Sequence, residues 1–398
     1  MNESSTSQPA ATARERLSSL ERFLQSDPGN GRLFADCVAL ALQLRDYESL
    51  QRVADIRLQT RPADLTALAA RAQALIAKGE YRLAAMDLER VGAAQLDETQ
   101  PETAQPNGAA IQQDLGLCYF CLGEYERAKA PLEVALGTGE RTSGLLRLLV
   151  STYHHLGLLP EAEALAAANG PLAQADAGLA GVYALLYLDL GRAAEAGRWA
   201  KQALALDPSS VDALTVDGTL LTANGALDAA TESFERALER MPNSGRAWLG
   251  LGSVALLRRD LPVALERVRR GVDLMQTHVG SWHVLGWTYL LSGDLGAAEG
   301  AFQRALELNR NFAETHGSLA AIAALRGDSV TAQRYMEVAQ RLDPMCLSAQ
   351  FTKAVLTGHG GDDEKARRIV LKALSRLAIN PGMAAAAGLS EPPARAPH

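Results

Sequence analysis

The sequence predicts an all-α fold, a solenoid of about ten helix–turn–helix units. Prolines recur at multiples of 34 residues, as Pro28 and Pro62 or Pro208 and Pro242 do. Alanine and glycine recur at the same interval, in two separate columns. A fixed period of this length is typical of helical repeat proteins. Hydrophobic residues make up 47% of the chain and aromatic residues only 5%, which favours closely packed helices over strands.

Composition excludes several classes of protein. The net charge of −7 argues against nonspecific nucleic-acid binding. The polar stretch 1–17 lacks the apolar core of a secretory signal, and no apolar run reaches the roughly 20 residues needed to cross a bilayer. Four cysteines in 398 residues are too few for a disulfide framework. We therefore expect a cytoplasmic protein without membrane insertion.

The repeat is most regular over 109–346, where seven units keep one register. Position twenty of every unit is alanine: Ala128, Ala162, Ala196, Ala230, Ala264, Ala298 and Ala332. Position fifteen is glycine in six units and arginine in one: Gly123, Gly157, Gly191, Gly225, Arg259, Gly293 and Gly327. Position eight is mostly small: Gly116, Val150, Ala184, Gly218, Gly252, Gly286 and Ala320. These columns divide the chain into structural units of 34 residues.

Each column has a physical reason. Small residues at positions eight and twenty let two antiparallel helices approach closely. Glycine at position fifteen ends the first helix, because it adopts the left-handed conformation without a Cβ penalty. Proline near position thirty-two cannot continue the second helix. Large residues at positions four, eleven and twenty-four, such as Trp282, Tyr289 and Phe302, fill the space that the small ones leave.

The segment 280–309 resembles the tetratricopeptide repeat. The residues that match this family are Trp282, Leu285, Gly286, Tyr289, Gly293, Ala298, Phe302 and Ala305. The resemblance implies a right-handed superhelical α-solenoid whose first helices line a concave groove. It covers most of the chain and is strongest over 109–346.

The rest of the chain follows the period less well. We predict a disordered N-terminus (1–12), a capping helix (13–30), two divergent units (31–98), a loop insertion (99–108), seven regular units (109–346), a divergent C-terminal unit (347–380) and a disordered tail (381–398). The first divergent unit has Val38 and Leu50 where small residues belong, and GHGGDDE makes a poor first helix in the last unit.

The resemblance places groove-facing side chains at positions two, five, nine, twelve and thirteen of each unit. The candidate partner-binding residues on this basis are Gln113, Leu117, Phe120, Arg147, His154, Leu185, Leu188, Leu249, His283, Trp287 and Leu290. The same positions hold Asp189, Asp212, Thr215, Thr219, Thr222, Arg246 and Ser253. Apolar residues outnumber charges, which favours an amphipathic or extended peptide as the ligand. One subclass of this family binds a C-terminal carboxylate through Lys and Asn side chains at fixed groove positions. No adjacent pair of units in this sequence carries that set at positions five and nine.

Trp287 is the strongest candidate for a partner-binding anchor in this set. A groove-facing tryptophan is a frequent anchor of binding energy. The alternative is that Trp287 packs against the first helix of the next unit. The sequence leaves both interpretations open.

Several motifs that could carry a chemical role are explained more simply by the repeat. Cys118 and Cys121 form a CxxC late in a first helix, where packing is the commoner role, and no second pair completes a zinc site. His154 and His155 diverge by roughly 100° on a helix and chelate poorly. GLGSVA (250–255) lies inside a repeat helix rather than after a strand. The arginines of 258–270 form a basic cluster that is typical of a solvated face, with contact to an acidic partner as the alternative. We predict no catalytic residues, cofactor or metal.

The predicted function is a non-catalytic scaffold or adaptor that binds a protein or peptide in its groove. One alternative is a cytoplasmic chaperone or assembly factor of a bacterial secretion or envelope machine, by analogy with the fold. A second, from the enzyme class, is an accessory subunit of an enzyme complex. The partner and the oligomeric state are not specified by the sequence.

Overall fold

The computed structural model describes residues 7–95, 107–138 and 141–357. These residues form twenty-one helices, and the described part of the chain contains no β-strand. The protein is therefore an all-α helical-repeat protein, as predicted. It divides into two compact units, Met1–Leu156 and Gly157–His398, which are described separately below.

The first unit contains eight helices: α1 (Ser7–Ser26), α2 (Gly31–Leu44), α3 (Tyr47–Thr60), α4 (Leu65–Ala77), α5 (Tyr81–Gln95), α6 (Gly108–Cys121), α7 (Tyr125–Thr138) and α8 (Ser143–His155). The second contains α9 (Leu159–Ala168), α10 (Gly170–Gln174), α11 (Ala177–Asp189), α12 (Ala193–Leu206), α13 (Val211–Ala223), α14 (Leu227–Arg240), α15 (Gly245–Leu257), α16 (Leu261–Leu274), α17 (Val279–Leu291), α18 (Leu295–Leu308), α19 (Ala313–Leu325), α20 (Ser329–Leu342) and α21 (Leu347–Leu356). The helices alternate as the 34-residue period predicts.

Position fifteen sets the turn inside each helix pair. Seven glycines there have positive φ: Gly79, Gly123, Gly157, Gly191, Gly225, Gly293 and Gly327. Arg45 and Arg259 stand at the same position in their units, and both adopt the left-handed conformation as well, with φ of 52° and 64°. The turn geometry therefore persists where the glycine is missing, against the preference of an L side chain.

Position eight sets the spacing between the two helices of a pair. A Cβ added to Gly286 would lie 2.5 Å from the Phe302 ring, and one added to Gly252 would lie 2.4 Å from Val268. Phe302 and Val268 both occupy position twenty-four of their units. At these two positions only glycine leaves room for the large residue opposite, because a Cβ at such a distance would overlap the opposite side chain.

Ring nitrogens at position four fix the junction between consecutive units. Trp248 Nε1 donates to the carbonyl of Pro242 at 2.9 Å, and Trp282 Nε1 donates to that of Gln276 at 2.8 Å. His316 Nε2 is 2.8 Å from the carbonyl oxygen of Arg310. In each case the acceptor lies six residues earlier. Trp282 thus combines partial burial with a hydrogen bond that the packing argument did not predict.

Two segments differ from a regular alternation. Helix α1 begins at Ser7, inside the stretch predicted to be disordered. The second helix of the unit 143–176 is split into α9 and α10 at Asn169, whose side chain donates to the carbonyl of Leu165. Pro171 follows two residues later and lacks the amide hydrogen that a continuous helix needs. Of the remaining predicted segments, most of the insertion, the end of the last unit and the C-terminal tail lie outside the described residues.

Candidate functional site

Five of the candidate partner-binding residues lie in the first compact unit. Gln113, Leu117, Phe120 and His154 are partly exposed, and Arg147 is exposed. Phe120 belongs to an aromatic cluster at the end of α6. The Phe120 ring packs edge-on against Tyr125 at 5.4 Å and against His155 at 5.8 Å.

In the second unit, a cavity opens on the face formed by α11, α13, α15 and α17, the first helices of four consecutive repeats. Its interior volume is about 40 Å³, and further space between the lining side chains is open to solvent. Its apolar wall is formed by Leu188, Phe234, Leu249, Met275 and Val284, and its polar wall by Thr215, Thr219, Thr222, Arg246, Ser253 and His278. We call this space the first-helix cavity.

The predicted groove positions supply much of this wall. Leu188 and Leu249 are the two candidate partner-binding residues that the structure brings together in the cavity. Leu249 is partly exposed, whereas Leu188 is almost fully buried. Leu185 and Leu290 are partly exposed and are not among the lining residues. The four hydroxyl side chains of this wall also stand at groove positions but are not among the candidate partner-binding residues.

An ion pair joins two helices beside the cavity. Arg246, at the start of α15, makes two hydrogen bonds to the Asp189 carboxylate, of 3.2 Å and 2.8 Å. The Asp189 side chain is only 1% exposed, so its charge depends on this partner. Asp212 lies close enough to interact electrostatically with the same guanidinium. Of these three charged side chains, Arg246 lines the cavity and the two carboxylates lie behind its wall.

His283 and Trp287 are a correction to the predicted groove surface. Both side chains are 0% exposed, so neither is available to a partner in this structure. His283 Nε2 is 2.7 Å from Thr315 Oγ1, and burial lowers the pKa of the imidazole to about 3. The Trp287 indole packs edge-on against Phe302 and against Phe351 of α21. Its surroundings are those of a core residue rather than of an exposed anchor.

Helix α21 covers Trp287 because a glycine on the intervening helix α19 allows α21 to pack closely. A Cβ on Gly317 would lie 2.7 Å from the backbone nitrogen of Ala349, so only glycine fits at this contact. The Glu314 carboxylate accepts hydrogen bonds from the amides of Leu347 and Ser348 at the start of α21. Small residues at the groove positions of α19 were the available sequence signal for this close packing.

The cysteines show packing rather than reactivity. Cys118 is fully buried and Cys121 is exposed. Burial, together with the nearby charge of Asp114, raises the pKa of the Cys118 thiol to about 12. A thiol that ionises so reluctantly is a poor nucleophile and a poor metal ligand near neutral pH.

The other motifs are likewise used by the fold. His155 stacks on Tyr125 with ring centroids 4.1 Å apart. Gly250 and Gly252 of the GLGSVA stretch lie inside α15, where added Cβ atoms would meet Phe234 and Val268. Among the described residues no group of three His, Cys, Asp or Glu side chains is placed to hold a metal ion. No described helix is long and apolar enough to cross a membrane.

Sequence models of one family match the region around the first-helix cavity. The tetratricopeptide repeat family matches residues 179–210, 217–274 and 279–312. These segments contain the helix pairs, the position-fifteen turns and the small-to-large contacts described above. The chain contains tetratricopeptide repeats within residues 179–312. Members of this family are generally scaffolds for protein–protein interaction.

The fold is shared with a solved human structure. The human IFIT1 dimer with m7Gppp-AAAA aligns over 94% of this chain and 93% of its own, with a TM-score of 0.56 and 17% identity. YrrB, a repeat protein with an unusual peptide-binding site, aligns over 44% of this chain and 90% of its own, with a TM-score of 0.34 and 21% identity. PilF of Pseudomonas aeruginosa aligns over 62% of this chain and 97% of its own, with a TM-score of 0.37 and 19% identity. A search of curated proteins found no match.

Proposed function

We propose that this tetratricopeptide repeat protein is a non-catalytic scaffold that binds a segment of a partner protein at the first-helix cavity. The observation that carries the proposal is the cavity itself, which lies on the face where the family resemblance places the groove. Its wall combines five apolar side chains with a few polar groups, a mixture that is common in ligand sites. A partner segment that fills it would gain apolar contacts and a fixed orientation.

The reactive groups of the described residues support a binding role rather than catalysis. The buried thiol of Cys118 and the buried imidazole of His283 are both held in their neutral forms near pH 7. Neither lies in the first-helix cavity, where the hydroxyls donate to backbone carbonyls. The imidazole in its lining, His278, accepts at Nδ1 from the amide of Ser281 and caps α17. A nucleophile would need a general base within hydrogen-bonding reach.

A peptide-display selection on the full chain tests this proposal. Random peptides are selected against the wild-type protein and then against Thr219→Phe, whose ring would fill the cavity from α13. Thr231→Phe is the matched control, because Thr231 makes the same type of helix hydrogen bond on α14 outside the cavity lining. Ser253→Leu serves as a second filling variant if Thr219→Phe does not fold.

We expect the selected peptides to bind the wild-type protein and the Thr231→Phe control but not the filled variants. Circular dichroism and thermal unfolding would verify that each variant is folded. Peptides that bind a folded, filled variant as tightly as the wild type would place the binding surface elsewhere and overturn the proposal. A selection without any enriched peptide would also contradict it.

A further inference from the structure

The uncharged polar groups in the wall of the first-helix cavity are already paired within the protein. Four hydroxyl groups each donate to a carbonyl oxygen one turn earlier in their own helix, at 2.7–2.9 Å: those of Thr215, Thr219, Thr222 and Ser253. A hydroxyl has a single hydrogen, and here it is in use. The amide of Ser281 donates to His278 Nδ1 at 3.1 Å, so this nitrogen carries no proton and the imidazole is uncharged. A ligand is therefore not needed to satisfy the hydroxyl hydrogens or this ring nitrogen.

The charged side chain in the wall is also paired. Arg246 makes two hydrogen bonds to Asp189, whose side chain is only 1% exposed. A ligand carboxylate that took over Arg246 would leave the Asp189 charge buried and unpaired, which is costly. A ligand cation would meet the guanidinium itself, since no carboxylate is among the residues that line the cavity. An uncharged group therefore complements this wall best.

The size of the cavity favours the end of an aliphatic side chain over an aromatic ring. The interior volume is about 40 Å³, whereas an apolar cavity of roughly 150 Å³ accommodates benzene. The branched end of a valine, isoleucine or leucine consists of a few methyl groups that would contact the apolar wall. A larger ring could enter the interior only by displacing wall side chains, and such overpacking is unfavourable.

Two residues of the apolar wall limit this size. Leu249 and Met275 are partly exposed, whereas the other three apolar side chains of the wall are buried. Leu249 and Met275 therefore border the opening through which a ligand side chain would enter. Shortening either of them should widen the cavity without disturbing the paired polar groups.

We infer that the first-helix cavity takes the branched aliphatic side chain of a valine, isoleucine or leucine in the partner segment, with Leu249 and Met275 setting the size limit. This inference rests on the proposed function and makes it more specific. It predicts that peptides selected through the cavity share an aliphatic residue of this kind.

Matched peptides and a cavity-widening variant test the inference. The common aliphatic residue of a selected peptide is replaced by phenylalanine in one copy and by glutamate or lysine in others. Affinities are measured by isothermal titration calorimetry on the full-length wild type, on Leu249→Ala and on Leu185→Ala. Leu185→Ala is the matched control, because Leu185 is a partly exposed leucine at a groove position outside the cavity lining. Met275→Ala serves as a second widening variant if Leu249→Ala does not fold, as judged by circular dichroism.

We expect the phenylalanine peptide to bind the wild type at least about tenfold more weakly than the aliphatic peptide, the scale on which a hydrophobic pocket distinguishes side chains by size. The glutamate and lysine peptides should also bind more weakly than the aliphatic peptide. Leu249→Ala should reduce the ratio between the aliphatic and phenylalanine affinities, whereas Leu185→Ala should leave that ratio unchanged.

Equal binding of the aliphatic and phenylalanine peptides to the wild type would overturn the inference. An unchanged ratio in a folded widening variant would also overturn it, as would selected peptides that share a charged or aromatic residue in place of the aliphatic one. In those cases the proposed function would still stand, provided that filling the cavity abolishes binding.

Discussion

The ring of Phe351 covers the indole of Trp287, with ring centroids 5.8 Å apart and planes inclined at 77°. Trp287 stands at a groove position of α17, and Phe351 stands at a groove position of α21, two repeats later. Two side chains that would face an open groove in a regular array therefore meet each other. Gly317 and Glu314 on the intervening α19 hold α21 close enough for this contact.

Removing the Phe351 ring should expose Trp287. We expect Phe351→Ala to lower the free energy of unfolding by about 3 kcal/mol or more, as for other buried phenylalanines. The tryptophan emission should also shift to longer wavelength, and this shift should disappear in the Phe351→Ala/Trp287→Phe double variant. Phe23→Ala is the control, since Phe23 is 65% exposed and its loss should change neither quantity. An unchanged emission spectrum in Phe351→Ala would show that α21 does not cover Trp287 in solution.

The sequence columns predicted the helix pairs, but the arrangement around Trp287 depends on contacts that no single column encodes. The repeat pattern predicts that Gly286, at position eight, meets the large residue Phe302, because both residues belong to one repeat. The burial of Trp287 depends instead on the small residue Gly317 of α19 and on the side chain of Phe351, two repeats away. The cavity falls between these cases, because groove positions predicted its lining while the hydrogen bonds that restrict Thr219 and Ser253 became evident only from the structure.

Arg259 is a site where a substitution should stabilise the protein. It adopts a φ of 64°, which disfavours an L side chain by about 1 kcal/mol. We therefore expect Arg259→Gly to raise the free energy of unfolding by about that amount. The reciprocal change, Gly293→Ala, should lower it by a similar amount, because φ there is 83° and a Cβ would meet no other atom. Urea unfolding measures both, and a loss of stability in Arg259→Gly would contradict the argument from backbone strain.

Gly286 and Gly300 offer the same substitution in one repeat with opposite expected effects. Gly286→Ala places a Cβ 2.5 Å from the Phe302 ring, and such overpacking lowers stability by about 1–3 kcal/mol. Gly300→Ala adds a methyl group to α18 where no atom lies within 4 Å, so it should raise stability by about 0.5–1 kcal/mol through the lower entropy of the unfolded chain. Thermal and urea unfolding of both variants would check the sign. Equal effects would mean that the spacing of α17 and α18 adjusts freely.

His283 should make the stability of the protein depend on pH in the acidic range. Burial lowers the pKa of its imidazole from 6.5 to about 3, so unfolding takes up a proton between these two values. The stability that the neutral imidazole provides is present above pH 6.5 and is lost as the pH falls through this window. We expect the wild type to lose about 2 kcal/mol more than His283→Gln between pH 7 and about pH 5.

The measurement is urea unfolding of both proteins at the two pH values, because the difference between them cancels the titration of all other groups. Phe23→Ala is the control, since Phe23 is exposed and does not titrate, so its replacement should leave the pH dependence unchanged. A parallel loss of stability in the wild type and His283→Gln would mean that the imidazole is accessible to protons in the folded state. The hydrogen bond to Thr315 and the ring contacts with Phe302 and Phe312 would then have to open without unfolding the repeat.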